Sequence, residues 1–346
     1  MSVAITTRRA RVRRSDCSAP GIRRIRKGRG FSYFDERGRR LEDPEVMERI
    51  RALAVPPAWS EVWICADPMG HLQATGIDAA GRKQYLYHER WREHRDRQKF
   101  ARMTSFGAAL PKLRRRLVRE LEGEELIERR VIACTVRLLD VGMFRVGNPQ
   151  YAADESGIGL ATIRAEHVSL NGASIGFDYP GKGGIRRLQV VEDPVSVAIV
   201  RRLKRRRGGP PELFAYRANG DWRPIRSDDI NEFIKKELGE DYSAKDFRTW
   251  NATVMAAVNV AARGPGARSK TARRQAINET TKQVAELLGN TPAVARRSYI
   301  DPRVFDRYQA GYTVAGALQR LEELEVADDR TRNRVERAVL ELLAEN

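Results

Sequence analysis

Short runs of alternating apolar and polar residues fill the chain from Gly30 to His88, which is the pattern of β-strands. Asp43 and Pro44 interrupt these runs with a helix start, because aspartate caps a first helical turn and proline needs no amide hydrogen there. The strand signals are Phe31–Phe34, Val62–Cys65, Leu72–Ile77 and Gln84–Tyr87. We therefore predict a small antiparallel sheet with one helix at residues 30–97, preceded by a basic, flexible tail at residues 1–29.

The pattern changes after His88, where apolar residues recur three and four positions apart, as in amphipathic helices. Residues 89–100 are highly charged with helical spacing and are predicted to connect the two domains. Helix start signals follow at Ser227, Ser243 and Thr291-Pro292. The segment Glu166–Val191 instead alternates and contains two turn sequences, which predicts an inserted three-stranded sheet. The predicted fold class is α+β, with a mainly helical domain at residues 98–346.

The net charge indicates what the chain binds. Lys and Arg number 64 against 46 Asp and Glu, which gives a formal charge of +18. A surplus of this size predicts a polyanionic partner, with nucleic acid first and an acidic membrane surface second. Since no apolar run approaches the roughly 20 residues that span a bilayer, we expect nucleic acid and no membrane. The three scattered cysteines predict no disulfide framework and are consistent with a reducing cytoplasm.

Metal and nucleotide chemistry have no sequence support. The four histidines lack metal-ligand spacing, and no phosphate-binding Gly-x-x-x-x-Gly-Lys-Ser/Thr loop occurs. We therefore expect no cofactor. The remaining candidates are polar residues that stand out by their local setting; they are Arg145, Lys182, Arg248, Asn290 and Tyr299. Each alone has an ordinary interpretation: an arginine forms a surface ion pair, Asn290 caps a helix, and Tyr299 is one of ten tyrosines.

The order and context of these residues carry more information than any one of them. Arg145, a lysine at a hairpin tip, Lys-Asp-Phe-Arg-Thr, Leu-Gly-Asn-Thr-Pro and Arg-Arg-Ser-Tyr follow one another along the chain. This series resembles type IB DNA topoisomerases, especially the compact poxvirus-like branch found in bacteria. The segment Gly81–His88 resembles the part of that branch that faces the DNA major groove. The resemblance covers about residues 30 to 320 and implies that the helical domain is catalytic.

The resemblance also implies a role for each site residue. Tyr299 would attack the scissile phosphodiester and form a 3′-phosphotyrosyl link. Arg145, Arg248 and Asn290 would bind the non-bridging oxygens, and Lys182 would protonate the leaving 5′-oxygen. Relaxation of positive and negative supercoils would then need neither ATP nor metal. Many relatives have histidine where this chain has Asn290, so we expect retained activity with a smaller contribution from this position.

Double-stranded DNA is the expected partner, held by a monomer that closes around it as a clamp in the cytoplasm, at the nucleoid. The expected DNA-binding residues are Lys83, Gln84, Tyr85, Tyr87 and Tyr151. Because Tyr85 and Tyr87 alternate in a strand, they share one face of the sheet. Packing of these two rings against the sheet's own helix is an equally open interpretation.

Two other classes of protein share some of these features. Tyrosine recombinases share the Arg-Lys-Arg-Tyr chemistry and the catalytic fold, but usually carry a histidine where this chain has Lys245. Their N-terminal domain is a helical bundle, whereas Gly30–His88 predicts a sheet. A non-catalytic basic chromatin protein would explain the charge but not the settings of Lys182, Arg248 and Tyr299.

Overall fold

The computed structural model describes residues 11–148, 157–264, 269–319 and 329–344. The chain divides into two compact units, one ending at Lys99 and the other beginning at Phe100. The division falls within helix α2 (Glu89–Leu121). The charged stretch at residues 89–100, predicted to connect the domains, is the first part of this helix, which continues through Pro111.

The N-terminal unit is a five-stranded antiparallel sheet in the order β2-β1-β3-β4-β5. Its strands are β1 (Ile22–Lys27), β2 (Gly30–Phe34), β3 (Ser60–Ile64), β4 (Leu72–Ile77) and β5 (Lys83–Tyr87). Helix α1 (Pro44–Ala52) begins at Asp43, whose carboxylate accepts hydrogen bonds from two first-turn amides. Ile50 of this helix packs with Ile22, Val62 and Ile64 in a small core. The predicted sheet with one helix is confirmed.

Strand β1 lies in the segment that we predicted to be a flexible tail, so that prediction is wrong for residues 22–27. Its Ile22 side chain is buried. The Arg24 guanidinium donates to the backbone oxygens of Val55, Pro56 and Trp59 at 3.0, 3.0 and 2.7 Å. These bonds satisfy a charged side chain that the sequence pattern assigned to solvent. Ser15 is also fixed, because its hydroxyl donates to the Leu72 oxygen at 3.0 Å.

The C-terminal unit is mainly helical. Among the described residues, its α-helices after α2 are α3 (Glu128–Val141), α4 (Pro194–Arg205), α5 (Ser227–Leu238), α6 (Ala244–Ala262), α7 (Lys270–Leu288), α8 (Pro292–Ser298), α9 (Pro302–Gln309), α10 (Ala315–Gln319) and α11 (Asp329–Ala344). Helix α3 is buried from Val131 to Asp140. The predicted α+β fold class, with a helical domain that contains an inserted sheet, is confirmed.

The inserted sheet has three antiparallel strands in the order β6-β7-β8. They are β6 (Val168–Asn171), β7 (Ser174–Pro180) and β8 (Arg186–Glu192). Lys182 lies in the turn between β7 and β8, as predicted. A second hairpin, β9 (Ala215–Ala218) and β10 (Asp221–Pro224), was not predicted.

A buried ion network joins three helices of this unit. Arg114 of α2 donates to Asp140 of α3 at 2.8 Å and to Glu336 of α11 at 2.7 Å, and all three side chains are almost fully enclosed. The amide of Asn251 in α6 donates to the backbone oxygen of Asp140 at 2.9 Å. Buried charges are tolerated when they are paired and hydrogen-bonded in this way. The network fixes the end of α3, from which the chain continues to Arg145.

Candidate active site

Arg145 follows α3 in a segment whose backbone is hydrogen-bonded to residues 160–161. The oxygens of Arg145 and Val146 accept hydrogen bonds from Leu160 and Ala161 at 3.0 and 2.7 Å. A Cβ at Gly159 would lie 2.6 Å from the Arg145 oxygen and 2.4 Å from the Gly147 nitrogen. Only glycine allows this close approach of the two backbones. The position of Arg145 therefore depends on Gly159.

Arg248 lies in the second turn of α6 and is buried, with 4% of its surface exposed. Its guanidinium donates to the backbone oxygens of Met143 and Leu288, the latter at 2.8 Å. It thereby joins the start of the Arg145 segment to the end of α7. Its Nε atom has no hydrogen-bond partner among the described residues. Burial, together with the charge of Arg145, lowers the pKa of Arg248 to about 10, so this guanidinium stays cationic at neutral pH.

Asn290 lies one residue beyond the cap of α7. Gly289 takes the left-handed cap conformation with φ 60°, so the interpretation of Asn290 as the helix cap is wrong. Glycine adopts this conformation without steric cost, which frees Asn290 for another contact. The Asn290 amide oxygen accepts a 2.7 Å hydrogen bond from Arg145. Its Nδ2 atom is buried and has no hydrogen-bond partner in the part of the chain that the structure describes.

Tyr299 follows the short helix α8, which begins at Thr291 with a side-chain cap and Pro292 in the first turn, as predicted. The ring is buried, with 8% exposed, and its centroid lies 5.3 Å from the guanidinium carbon of Arg248. Burial alone would raise the pKa of the phenol. The charges of Arg248, Lys245 and Arg145 outweigh burial, so the pKa lies below its usual value of 10. This environment favours the phenolate, which is the nucleophilic form.

The cationic site candidates line one small pocket. Its lining includes Arg145, Lys182 and Arg248, so three of the five predicted site residues meet there. Asn290 joins them through Arg145, and Tyr299 through Arg248. The five candidates, distant in sequence, are thus brought together in space.

Sequence reasoning missed two residues that line the same pocket, Tyr179 and Arg187. Arg187 donates to the backbone oxygens of Glu286 and Leu287 at the end of α7, the former at 2.9 Å. A Cβ atom on residue 289 would lie only 2.7 Å from the Arg187 guanidinium. The alternation of side chains along a strand could have indicated Arg187. Its neighbour Arg186 points outward and pairs with exposed Asp178 at 2.6 Å, so Arg187 points to the opposite face.

No group of three or more His, Cys, Asp or Glu among the described residues is arranged to hold a metal ion. Within the same part of the chain, no helix has the length and apolar character needed to cross a membrane.

Comparison with known proteins identifies the family. A family model described as "Eukaryotic DNA topoisomerase I, catalytic core" matches residues 88–310. A second, described as "Bacterial DNA topoisomerase IB, N-terminal domain", matches residues 30–78. The chain belongs to the type IB DNA topoisomerase family and is an isomerase.

Individual relatives agree with this assignment. DNA topoisomerase 1B of Acanthamoeba polyphaga mimivirus is 29% identical over 297 residues, which are 84% of this chain and 88% of the relative. DNA topoisomerase I of Monkeypox virus is 19% identical over 77% of this chain and 82% of its own length. DNA topoisomerase 1 of Schizosaccharomyces pombe is 28% identical over 46% of this chain, which corresponds to 19% of that larger protein. The resemblance inferred from the motifs is confirmed. Family membership also favours the topoisomerase over the recombinase and chromatin-protein interpretations.

The N-terminal unit contains four of the five expected DNA-binding residues. Tyr85 and Tyr87 are 46% and 40% exposed, and their rings stack with centroids 6.2 Å apart. Lys83 lies on the same face, with its ammonium 6.0 Å from the Tyr85 ring centroid. Leu86 points to the opposite face and packs with the core beside α1, so the interpretation that both tyrosines pack on this helix is wrong. Gln84 is partly buried, and its amide donates to Asp78 at 2.8 Å. Tyr151 lies outside the described residues.

Proposed function

We propose that this type IB topoisomerase relaxes positive and negative supercoils by nicking one DNA strand with Tyr299, letting the DNA turn, and resealing the strand. The supporting observation is the position of the Tyr299 ring beside the buried Arg248, where nearby cations lower the pKa of the phenol. A tyrosine held in this way is prepared to attack a phosphodiester. Cations that favour the phenolate also attract the phosphate it would attack.

In the proposed cleavage step, the Tyr299 phenolate oxygen forms a bond to phosphorus and the bond from phosphorus to the 5′-oxygen breaks. The leaving oxygen takes a proton from the Lys182 ammonium and departs as a 5′-hydroxyl. The strand then remains attached to the protein as a 3′-phosphotyrosyl diester. Because one diester replaces another, resealing is the same step in reverse and requires no ATP.

Charge that develops on the non-bridging oxygens would be met by Arg145 and Arg248. Guanidinium groups bind phosphate in a bidentate geometry and remain charged at working pH. Arg248 Nε and Asn290 Nδ2, which have no hydrogen-bond partner among the described residues, are further donors that a phosphate could satisfy. Two arginines and an amide then provide the electrostatic stabilisation that many phosphoryl-transfer enzymes obtain from a divalent ion.

For DNA binding, we propose that the exposed face of β5 contacts the duplex through Lys83, Tyr85 and Tyr87. Gln84 and Tyr151 remain candidates of the same kind. Exposed, stacked aromatic rings beside a lysine suit contacts to bases and phosphates. We further propose that a single chain closes around the duplex as a clamp, and that it acts in the cytoplasm at the nucleoid.

A plasmid assay tests this function. The purified protein should relax supercoiled plasmid of either sign in EDTA without ATP, and denaturation during the reaction should trap a covalent protein–DNA adduct. Tyr299→Phe should abolish both while retaining fold and DNA affinity. Tyr312→Phe, which changes a tyrosine that is 53% exposed, is the matched control and should leave both intact. Failure of the wild-type protein to relax plasmid, or an adduct that survives Tyr299→Phe, would contradict the proposal.

A further inference from the structure

A basic groove runs along α7 and α8, outside the pocket that contains Arg145, Lys182 and Arg248. It consists of two adjoining cavities of about 580 and 520 Å³, which share Arg274, Asn278 and Arg296 in their linings. Neither cavity shares a lining residue with the catalytic pocket. The groove is therefore a separate feature of the helical unit.

The cations of this groove follow one face of α7. Lys270, Arg273, Arg274 and Lys282 line it from that helix, and Arg296 lines it from α8. At a rise of about 1.5 Å per residue, the stretch from Lys270 to Lys282 is about 18 Å long. Among the described lining residues the one carboxylate is Glu279, which lies 3.7 Å from Lys282. Positive charge thus exceeds negative charge along the whole groove.

Two of the guanidinium groups are held at the groove wall. Arg273 donates to the Gln309 oxygen at 2.6 Å. The Arg296 guanidinium lies over the Phe305 ring at 5.5 Å. Lys270 and Arg274 are exposed, and no carboxylate in the described part of the chain forms an ion pair with them. A bound anion would relieve the mutual repulsion of these groups.

The length of the groove indicates the kind of anion. A small anion needs one or two cations, whereas this groove offers five over about 18 Å. Each strand of duplex DNA presents its phosphates as a regular array, so several successive phosphates would fall along a groove of this length. Amide side chains of Gln275 and Asn278 in the lining can also donate to phosphate oxygens.

We propose that the α7–α8 groove binds the phosphate backbone of duplex DNA outside the segment that Tyr299 would cleave. The site goes beyond the proposed function, since it supplies DNA contacts that strand cleavage does not require. Arg296 lies three residues before Tyr299 in sequence, so DNA in the groove would lie against the helix that leads to the nucleophile. A long duplex would contact both the cleavage site and the groove, whereas a short duplex would contact the cleavage site alone.

The salt dependence of DNA binding tests this site without any cleavage step. In the Tyr299→Phe background, affinity for a long linear duplex is measured over a range of salt concentrations. Each phosphate contact contributes about 0.9 to the slope of log affinity against log salt. The triple variant Lys270→Ala, Arg274→Ala, Arg296→Ala should therefore reduce the slope by about 2 to 3. The control triple Lys236→Ala, Arg334→Ala, Arg337→Ala removes the same charges from exposed positions elsewhere in the helical unit and should change the slope by less than about 1.

Equal slopes in the two triple variants would overturn the proposal. A second measurement uses intact Tyr299 and a short duplex: the groove variant should form the adduct at the wild-type rate, and a loss there would make the groove part of the cleavage site. A third uses inorganic tripolyphosphate. If it binds in a groove-dependent manner while the DNA slope stays unchanged, the ligand is a free polyphosphate and not DNA. If no protein forms an adduct, wild type included, the proposed function is refuted. The salt-dependence test of the groove still applies, because it needs no cleavage.

Discussion

The Arg145 guanidinium donates a 2.7 Å hydrogen bond to the amide oxygen of Asn290. Because a guanidinium has only donors, the amide oxygen must face it. The amide nitrogen is thereby turned away from Arg145, and Nδ2 is a buried donor with no partner among the described residues. Asn290 thus orients one phosphate-binding candidate and can itself donate to the same ligand.

Substitutions at Asn290 should separate these two roles. Asn290→Ala removes the donor and the support of Arg145, and should slow adduct formation about 10²-fold, as loss of one such donor does elsewhere. Asn290→Asp should slow it further, because a carboxylate would pair with Arg145 and repel the phosphate. Asn290→His should retain adduct formation, since an imidazole N–H can donate. Single-turnover cleavage of a short duplex measures all three, and an aspartate variant as fast as wild type would exclude the proposed contact.

Lys245 should set the pH at which Tyr299 becomes reactive. Its charge is among those that lower the pKa of Tyr299, so Lys245→Ala should raise that pKa. Less phenolate is then present at a given pH, and the rising limb of the pH–rate profile for adduct formation should move to higher pH. Lys236→Ala, at another exposed lysine of the helical unit, is the control and should leave the limb in place. The shift should shrink in high salt, which screens exposed charges.

Arg187 and Arg186 form a matched pair, because they are adjacent in β8 but point to opposite faces. Arg187→Ala removes the hydrogen bond that Arg187 donates to the end of α7. The turn at Gly289 and Asn290 should then be less rigid. We expect adduct formation to slow and the melting temperature to fall by about 2–4 °C, which corresponds to about 1 kcal/mol in a unit of this size. Arg186→Ala breaks an exposed ion pair with Asp178 and should leave the melting temperature nearly unchanged, because solvent screens such pairs. Equal effects of the two substitutions would argue against a positioning role for Arg187.

Gly159 should be intolerant of even one methyl group. Gly159→Ala places a Cβ 2.4 Å from the Gly147 nitrogen and 2.6 Å from the Arg145 oxygen, so the Arg145 segment must shift. We expect a loss of about 1–3 kcal/mol in the free energy of unfolding, with slower adduct formation. Gly316→Ala is the control, since nothing lies within 4 Å of its added Cβ. Denaturant unfolding and single-turnover cleavage measure the two effects.

The sequence predicts best where a local signal is unambiguous. Thr291-Pro292 begins α8 and Ser243 precedes α6, as expected, because capping chemistry acts within a few residues. The hairpin of β9 and β10 was missed although Asn219-Gly220 marks its turn. Both residues have positive φ, at 52° and 88°, as a two-residue hairpin turn requires. The Asn-Gly signal for this turn is therefore present in the sequence.

Other features have no local signal. Strand β1 has the sequence Ile-Arg-Arg-Ile-Arg-Lys. Its four cationic residues make the sequence pattern typical of a solvent-exposed segment. Only the tertiary fold supplies the three backbone oxygens that satisfy Arg24. The hydrogen bond between Arg145 and Asn290 is likewise not visible in the sequence, since the two residues are separated by 145 positions. The motif order names these residues, but only the structure defines their geometry.

The position of β1 in the sheet has a practical consequence for shortening the protein. The family match to the N-terminal domain begins at residue 30, which suggests a natural point for truncation. Yet β1 lies between β2 and β3 in the strand order. A chain that starts at residue 30 would therefore leave β2 without its neighbour and expose the unpaired backbone of β3, a template for aggregation. A shortened protein should begin before Ser15, so that the segment leading into β1 keeps its contact with Leu72.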